Sequence, residues 1–597
     1  MNFLSDNSIT KRKKSVELLL KKARREERLG KFHDAAEIYQ DILSKFPGNK
    51  SAHDAIIKLR LLNPIPDLRP LIESNRFDEA ENILISNIER DKLNPNFWKL
   101  LGVVYHGMKN HSLSLQCYQK ALELDPNDYE LIYQVGCDLI ELNDLGNAYK
   151  AFRHVLALKP ETAGAHTNIG AIYDKIKNFE KAKTEWLKAI EVDPKESVAL
   201  SYLGCFEAEH GDHKLALAYF NKALKYRPDD VNAYVNVATA LYEAGKTSEA
   251  LQIYETWQKR NWDNIGKDKE NDYNLNYSLA LFTDGQVDRA WSLYRNRIYC
   301  ENITPLDVTK IKFPRLEAIT QAKNKSILVI FEQGIGDQIR FLGLLDNFQR
   351  TSNCEIILLV EPRLESLLKR SFASFKVISD PNSLENYKYD YWMLYGDMGE
   401  LLSFNKSNKN LSAPYINVSR KHMNYWKNKL CSSKPNIGFA WRSGLMTAAR
   451  MKSYTYLTDW VTLIENPQIN LISLQYGDVE QDLKELEDQT RSSLIVPEID
   501  LKNNFEELAA IIKNCDLVFG PSTGPVIQAE AQGVDTIMYE LKGLDRWSFG
   551  LDMHNSEYKS FWYSNCTNIN FSIGNKSELV SRISKMINRT FDLIEET

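Results

Sequence analysis

Two short stretches carry residue types suited to holding an anion. In the first, the apolar residues Ile327 to Phe331, three of them β-branched, lead into Gly334-Ile335-Gly336-Asp337. A short apolar run ending in glycines predicts a buried parallel strand. The apolar positions Ile339, Leu342, Leu345 and Phe348 then recur at helical spacing, predicting one helix from Gln338 to Gln349. A strand, a Gly-rich turn and a helix bring backbone N–H groups to an anionic ligand. An ordinary bend, with glycine supplying only curvature, has the same pattern. The second stretch, Gly520-Pro521-Ser522-Thr523-Gly524-Pro525, precedes a helix predicted to start near Val526. The hydroxyls of Ser522 and Thr523 and the N–H groups of Thr523 and Gly524 suit an anion, or a hydroxyl merely caps the helix. Two more groups follow strand-like runs: Trp441-Arg442-Ser443-Gly444, with Arg450 and Lys452 soon after, and Gln475-Tyr476-Gly477-Asp478. Arg442, Arg450 and Lys452 supply positive charge for the same ligand.

The elements that must position these residues form an α/β region. Runs at 327–331, 355–360, 376–378 and 392–394 read as strands of a first half, closed by a helix over 420–430. A second series lies at 437–441, 470–474, 494–496, 516–519 and 536–539. The segment 504–514 reads as a helix capped by Asn504, with Glu507 completing a capping box. Two successive doubly wound units predict two Rossmann-like halves, 326–433 and 434–597, with ligands beyond the carboxyl ends of the strands. The later aromatics Trp547, Phe549, Phe561, Trp562 and Tyr563 follow the last predicted strand, where burial against the sheet accounts for them and a place along the cleft is open. Leu579, Ile583, Met586 and Ile587 predict a closing amphipathic helix.

The preceding half of the chain is repetitive. Gly102, Gly136, Gly170 and Gly204 lie 34 residues apart, as do Pro126, Pro160, Pro194 and Pro228. Between them Ala121, Val155, Ala189 and Ala223 keep phase with the large residues Tyr118, Phe152, Trp186 and Phe220. Small residues allow close helix crossings, large ones fill the gaps, and proline ends the second helix of each pair. Tyr234, Ala238, Gly245 and Tyr254 extend the series, and Tyr277, Ala280, Ala290 and Tyr294 form a degenerate closing repeat. Upstream, Ala23, Gly30, Ala35 and Tyr39 make another, while 61–94 keeps phase poorly. The expectation is an α-solenoid over 1–300 and a connector over 301–325. The solenoid's concave face would take a protein partner, or the array would serve as a spacer or dimerisation arm. His106, His154 and His166 stand without metal-ligand company, and no metal site is expected.

The net charge of −5 gives no support for nucleic acid as main partner. Residues 1–30 lack a secretory core and no run reaches membrane-spanning length, so a cytoplasmic location without a membrane span is expected. The eight cysteines are scattered and read as reduced thiols.

The 34-residue spacing resembles the tetratricopeptide repeat. Together with Glu332–Phe341 (EQGIGDQIRF), Trp441–Gly444 (WRSG), Ser473–Asp478 (SLQYGD) and Gly520–Gly533 (GPSTGPVIQAEAQG), it resembles the TPR-linked glycosyltransferases of bacteria. These are related to the lipopolysaccharide heptosyltransferases and, more distantly, to protein O-GlcNAc transferases; some members resemble flagellin glycosyltransferases. The resemblance implies a GT-B fold and metal-independent transfer from a nucleotide sugar, with no further cofactor, to Ser or Thr hydroxyls of a protein held by the repeats. It makes Asp337 the general base. Gly334, Gly336, Arg442, Ser443, Arg450, Lys452, Gln475, Tyr476, Ser522, Thr523 and Gly524 become the donor-phosphate set. It also implies that the closing helix crosses back to the first half. Ser522 stands where the heptosyltransferases carry aspartate, and Ile527 where they carry histidine. A donor other than a hexose, such as a nonulosonic acid, fits those departures, and so does a non-catalytic adaptor.

Overall fold

The computed structural model describes residues 5–62, 67–261, 267–300, 303–304, 306–405, 414–430, 433–444, 451, 453–491, 494–542, 546–549, 551, 556–572 and 574–593. The chain forms two compact units, Met1–Leu203 and Gly204–Thr597, divided within the helix Ser197–Glu209. The later repeats therefore belong to the same unit as the α/β region.

The first unit is a stack of antiparallel helix pairs, among them Pro95–Gly107 with His111–Leu124, Tyr129–Glu141 with Leu145–Leu158, and Ala163–Lys175 with Phe179–Val192. Each pair turns by the same device. Lys109, Asn143 and Lys177 adopt left-handed φ of 58°, 59° and 61°. The N–H of the next residue then bonds back to a carbonyl of the first helix: Asn110 to Tyr105, Asp144 to Leu139 and Asn178 to Tyr173, each at 2.8 Å. That is the Schellman arrangement. The same Asn110, Asp144 and Asn178 cap the second helix by accepting from Leu113, Asn147 and Lys181 N–H. One residue thus ends one helix and starts the next.

The periodic glycines are sites of close approach. A Cβ on Gly136 would lie 2.6 Å from the Phe152 ring, and one on Gly170 would collide with Trp186. In an unpacked helix Gly→Ala is stabilising by roughly 1 kcal/mol. Here the expected sign is reversed: Gly170→Ala destabilises the first unit by about 1–3 kcal/mol through overpacking, read from the urea midpoint. The out-of-phase stretch is a repeat with a shortened first helix, Arg69–Glu73, followed by Phe77–Arg90, whose Ala80, Leu84 and Ile88 are buried.

The second unit begins with the last repeats and continues into two sheets. The closing repeat, Lys267–Asp284 with Val287–Tyr294, is part of the α/β core. Trp291 donates its indole N–H to the Phe404 carbonyl at 2.8 Å and packs against Gly399. The stretch predicted as a connector is likewise packed: Leu316 is fully buried and its N–H bonds to Trp392 O at 2.8 Å.

Below it lie β1 (Ser326–Ile330), β2 (Glu355–Leu359), β3 (Lys376–Ile378) and β4 (Tyr391–Leu394), all parallel, in the order β3-β2-β1-β4. The second sheet contains β5 (Asn436–Phe439), β6 (Asn470–Ser473), β7 (Leu517–Pro521), β8 (Thr536–Leu541), β9 (Glu557–Lys559) and β10 (Cys566–Phe571), in the order β6-β5-β7-β8-β10-β9. Only β9 is antiparallel to its neighbour.

The structure departs from the sequence expectations in several places. The strand expected at 494–496 is a single bridge, Ile472 to Ile495. The helix expected over 338–349 is two, Ile335–Leu342 and Leu345–Ser352, broken at Gly343, where a Cβ would lie 3.0 Å from the Tyr563 hydroxyl. Asn504 caps the Phe505–Lys513 helix as expected. Glu507 does not close a capping box; its carboxylate takes the indole N–H of Trp426 and pairs with His422 at 2.8 Å. Those two residues lie on Arg420–Lys429, so the helix expected to close the first half packs on a helix of the second. The C-terminal helix Lys576–Thr590 does not cross back. Its Leu579, Ile583 and Ile587 pack with Leu457, Trp460 and Phe571 of the second half.

Candidate functional site

The strand ends of both sheets meet at one cavity of about 570 Å³, a size that accommodates a small-molecule ligand. Gly334, Gly336 and Asp337 line it from the end of β1, Arg363 from beyond β2, Ser443 from beyond β5, and Tyr476 from beyond β6. Ser522, Thr523 and Gly524 enter from the end of β7, with Ile527 from the following helix, Gly524–Gln532.

The two glycine stretches thereby place two helix N-termini at one wall. The Ile335–Leu342 and Gly524–Gln532 helices pack together, and Gly336 makes their closeness possible. A Cβ there would lie 2.7 Å from Ile527 Cδ1 and 4.0 Å from the Gly524 nitrogen. Neither helix has a side-chain cap: Gly334 has none to offer, and the Thr523 hydroxyl donates to the Pro521 carbonyl at 3.2 Å. Pro525 lacks an N–H in the first turn. The reading in which Ser522 or Thr523 serves only to cap is not what Thr523 does. First-turn N–H groups without caps, together with two positive dipole ends, favour a negative ligand.

Asp337 lies in the first turn of its helix, and its Oδ1 accepts the indole N–H of Trp547 at 2.9 Å. Trp547 is itself held among Phe282, Trp291, Tyr294, Phe341 and Trp562. The late aromatic segment therefore does both things considered for it: it is buried, and Trp547 lines the cavity. At the other end of the helix, Tyr415 donates to the Ile339 carbonyl and Tyr563 to that of Arg340 at 3.4 Å. Burial pushes both phenols above their ordinary value, so they remain neutral donors to the last-turn carbonyls. Arg340 also pairs with the buried Glu530 of the facing helix at 3.6 Å.

Behind the turn, Glu332 is fully buried. Its carboxylate takes Arg297 Nε at 2.6 Å and Nη2 at 2.5 Å, and the Gly396 N–H at 2.6 Å. Arg297 also meets Asp397 at 3.0 Å, and Asp397 is bound twice by Arg315. Burial works against ionisation of Asp397, but Arg297 and Arg315 outweigh it and hold its carboxyl below the usual range. The 3-10 turn Arg295–Tyr299, which directly follows the closing repeat, is thus fixed to the root of the Gly-rich turn.

Some expected ligands do other work. Arg442 does not line the cavity: its guanidinium grips Asp482 at 2.5 Å and the Asp478 carbonyl at 2.6 Å. Gln475 braces the loop instead, its Oε1 accepting the Trp441 and Arg442 N–H groups at 3.0 Å. Arg450 and Lys452 lie outside the described residues. Among the described residues the basic side chains lining the cavity are Arg340, Arg363 and Lys502, none of which was expected as a ligand; Arg340 is paired with Glu530 and Arg363 with Glu361 at 2.7 Å. Arg363 stands just beyond β2, where the strand-end rule points, and Arg340 belongs to the EQGIGDQIRF stretch. Lys502, on a loop far from any glycine pattern, carried no such signal.

Comparison with known proteins bears on both regions. Segments 17–49, 95–128, 163–196 and 207–264 match tetratricopeptide repeat models, so the chain contains repeats of this type. Protein FlbA of Caulobacter vibrioides is 24% identical over 504 residues, 80% of this chain and 82% of that protein; the likeness extends beyond the repeats. The human protein O-mannosyl-transferase TMTC1 is 25% identical over 169 residues, 28% of this chain and 18% of its own length. That stretch has the length of about five repeats. Among solved structures, the APC/C hetero-tetramer Cut9-Hcn1 matches 49% of this chain and 54% of its own, at 16% identity and a TM-score of 0.34. Among the described residues no helix is long and apolar enough to cross a membrane.

Proposed function

We propose that this chain is a protein glycosyltransferase of the GT-B type, moving a sugar from a nucleotide donor to Ser or Thr hydroxyls of a protein recruited by its repeats. The observation that carries the reading is the convergence of two helix N-termini without side-chain caps beside a carboxylate. The donor's phosphate lies against the first turns after Gly334 and Thr523, where N–H groups and dipoles stabilise the charge that grows as the glycosidic bond to phosphate breaks. Ser443, Tyr476 and Ser522 add hydroxyl contacts. Asp337 accepts the proton of the attacking hydroxyl, and the Trp547 N–H holds its carboxylate in one orientation. Distant likeness to TMTC1 agrees with protein glycosylation, although the matched stretch is of repeat length.

The second reading is a repeat-bearing adaptor whose α/β region binds without catalysing. Ser522 and Ile527, in place of the heptosyltransferase aspartate and histidine, favour it.

Nucleotide binding by the full chain tests the anion site common to both. With uridine diphosphate, guanosine diphosphate and cytidine monophosphate as probes, at least one raises the melting temperature. Ser522→Glu, which sets a carboxylate at the same N-terminus, removes that rise. No shift with any of the three contradicts the site.

A further inference from the structure

We propose that His106, His111 and Asp138 form a binding site for a divalent transition-metal ion of the zinc class, joining two successive repeats. His106 comes from the last turn of Pro95–Gly107, His111 opens His111–Leu124, and Asp138 lies on Tyr129–Glu141 of the next repeat. His106 has no ligand company in the sequence; the fold supplies it. One donor atom from each of the three residues falls within 4.8 Å of the others. Both imidazoles turn Nδ1 toward Asp138 Oδ1, at 2.6 Å from His106 and 2.8 Å from His111. Their rings stand 5.2 Å apart at 79°, so the two nitrogens approach one point from different directions.

Two hydrogen bonds to a buried carboxylate explain part of this arrangement but leave a residue. Asp138 is fully buried, and both imidazoles use the same oxygen. Its Oδ2 is buried without a hydrogen-bond partner. A cation held by the two nitrogens and the carboxylate, with Oδ2 among its ligands, would give that oxygen a partner. Two imidazoles and a carboxylate are the donor set for zinc-class ions, and ligand bonds of about 2.0–2.1 Å place donors roughly 3.3 Å apart. The separations here are shorter, so the ion must spread the donors. The His106 side chain, 40% exposed, has room to move, whereas that of His111 is 16% exposed. To offer Nδ1 to an ion, each imidazole must present that nitrogen without a proton. Three protein ligands with one partly exposed leave a coordination position open to water.

The test uses the full chain and zinc ion alone, by equilibrium dialysis at about pH 8, since metal affinity rises as ligands lose protons. The wild-type chain is expected to retain one zinc per chain more than a His106→Gln/His111→Gln variant of matching circular dichroism. His106→Gln alone, at an exposed position, weakens binding by more than the roughly 10–100-fold that loss of a supporting outer partner costs. Cobalt substitution gives visible d–d bands in the wild type and none in the double variant. Equal zinc retention by wild type and His106→Gln, or cobalt spectra unchanged between them, would overturn the proposal.

Discussion

Asp337→Asn lowers sugar transfer by about 10²–10⁴-fold, the usual contribution of a positioned general base, with little effect on nucleotide binding. The amide keeps the shape of the carboxylate and still presents an oxygen to the Trp547 N–H, so the bond at 2.9 Å survives the substitution. In the proposed reaction, what is lost is the capacity to take the acceptor's proton. Single-turnover rates and thermal shifts with the bound nucleotide, measured on the same preparations, separate the two effects. An unchanged rate would remove Asp337 from the chemistry and leave the cavity as a binding site.

The second large effect lies behind the turn. Glu332→Ala leaves Arg297 buried with one carboxylate partner fewer, and removal of one member of a buried ion pair costs about 3–5 kcal/mol. Arg297 is fully buried, and its remaining partners are Asp397 and the Tyr294 carbonyl. The loss appears as a lowered urea midpoint of the second unit. Nucleotide binding is expected to be lost before global unfolding, because Glu332 holds the Gly396 N–H and immediately precedes the Gln333-Gly334 turn. Arg297→Met/Glu332→Met, which removes both charges, costs less than Glu332→Ala alone. A double variant as damaged as the single one would show that packing, and not the charge pair, sets the stability there.

Much of this was legible because it was periodic or local. Gly136 with Phe152 and Gly170 with Trp186 are close contacts repeated every 34 residues, so their spacing alone disclosed the solenoid. The turn residues Asn110, Asp144 and Asn178 repeat at the same interval, and each ends one helix and caps the next. In the α/β region the apolar runs before the glycines marked β1 and β7. Strand β10, Cys566–Phe571, was missed because its buried Asn568 and Asn570 break the apolar pattern.

Long-range pairing was not legible at all. Nothing near Arg442 announces Asp482, forty residues away, and nothing near Glu332 announces Arg297, which follows the last repeat. A basic residue at a strand end looks the same whether it faces a ligand or an aspartate. His106 and His111 likewise gained meaning only when the next helix brought Asp138 between them.

The proposed function is transfer of a sugar to a protein that the repeats recruit. The most direct measurement is intact-mass analysis of the protein captured by the full chain, from cells carrying wild type or Asp337→Asn. The captured protein is expected to carry a sugar-sized mass increment with wild type and to lack it with Asp337→Asn. The same protein captured at the same mass from both, and also from a chain lacking the α/β region, would contradict it.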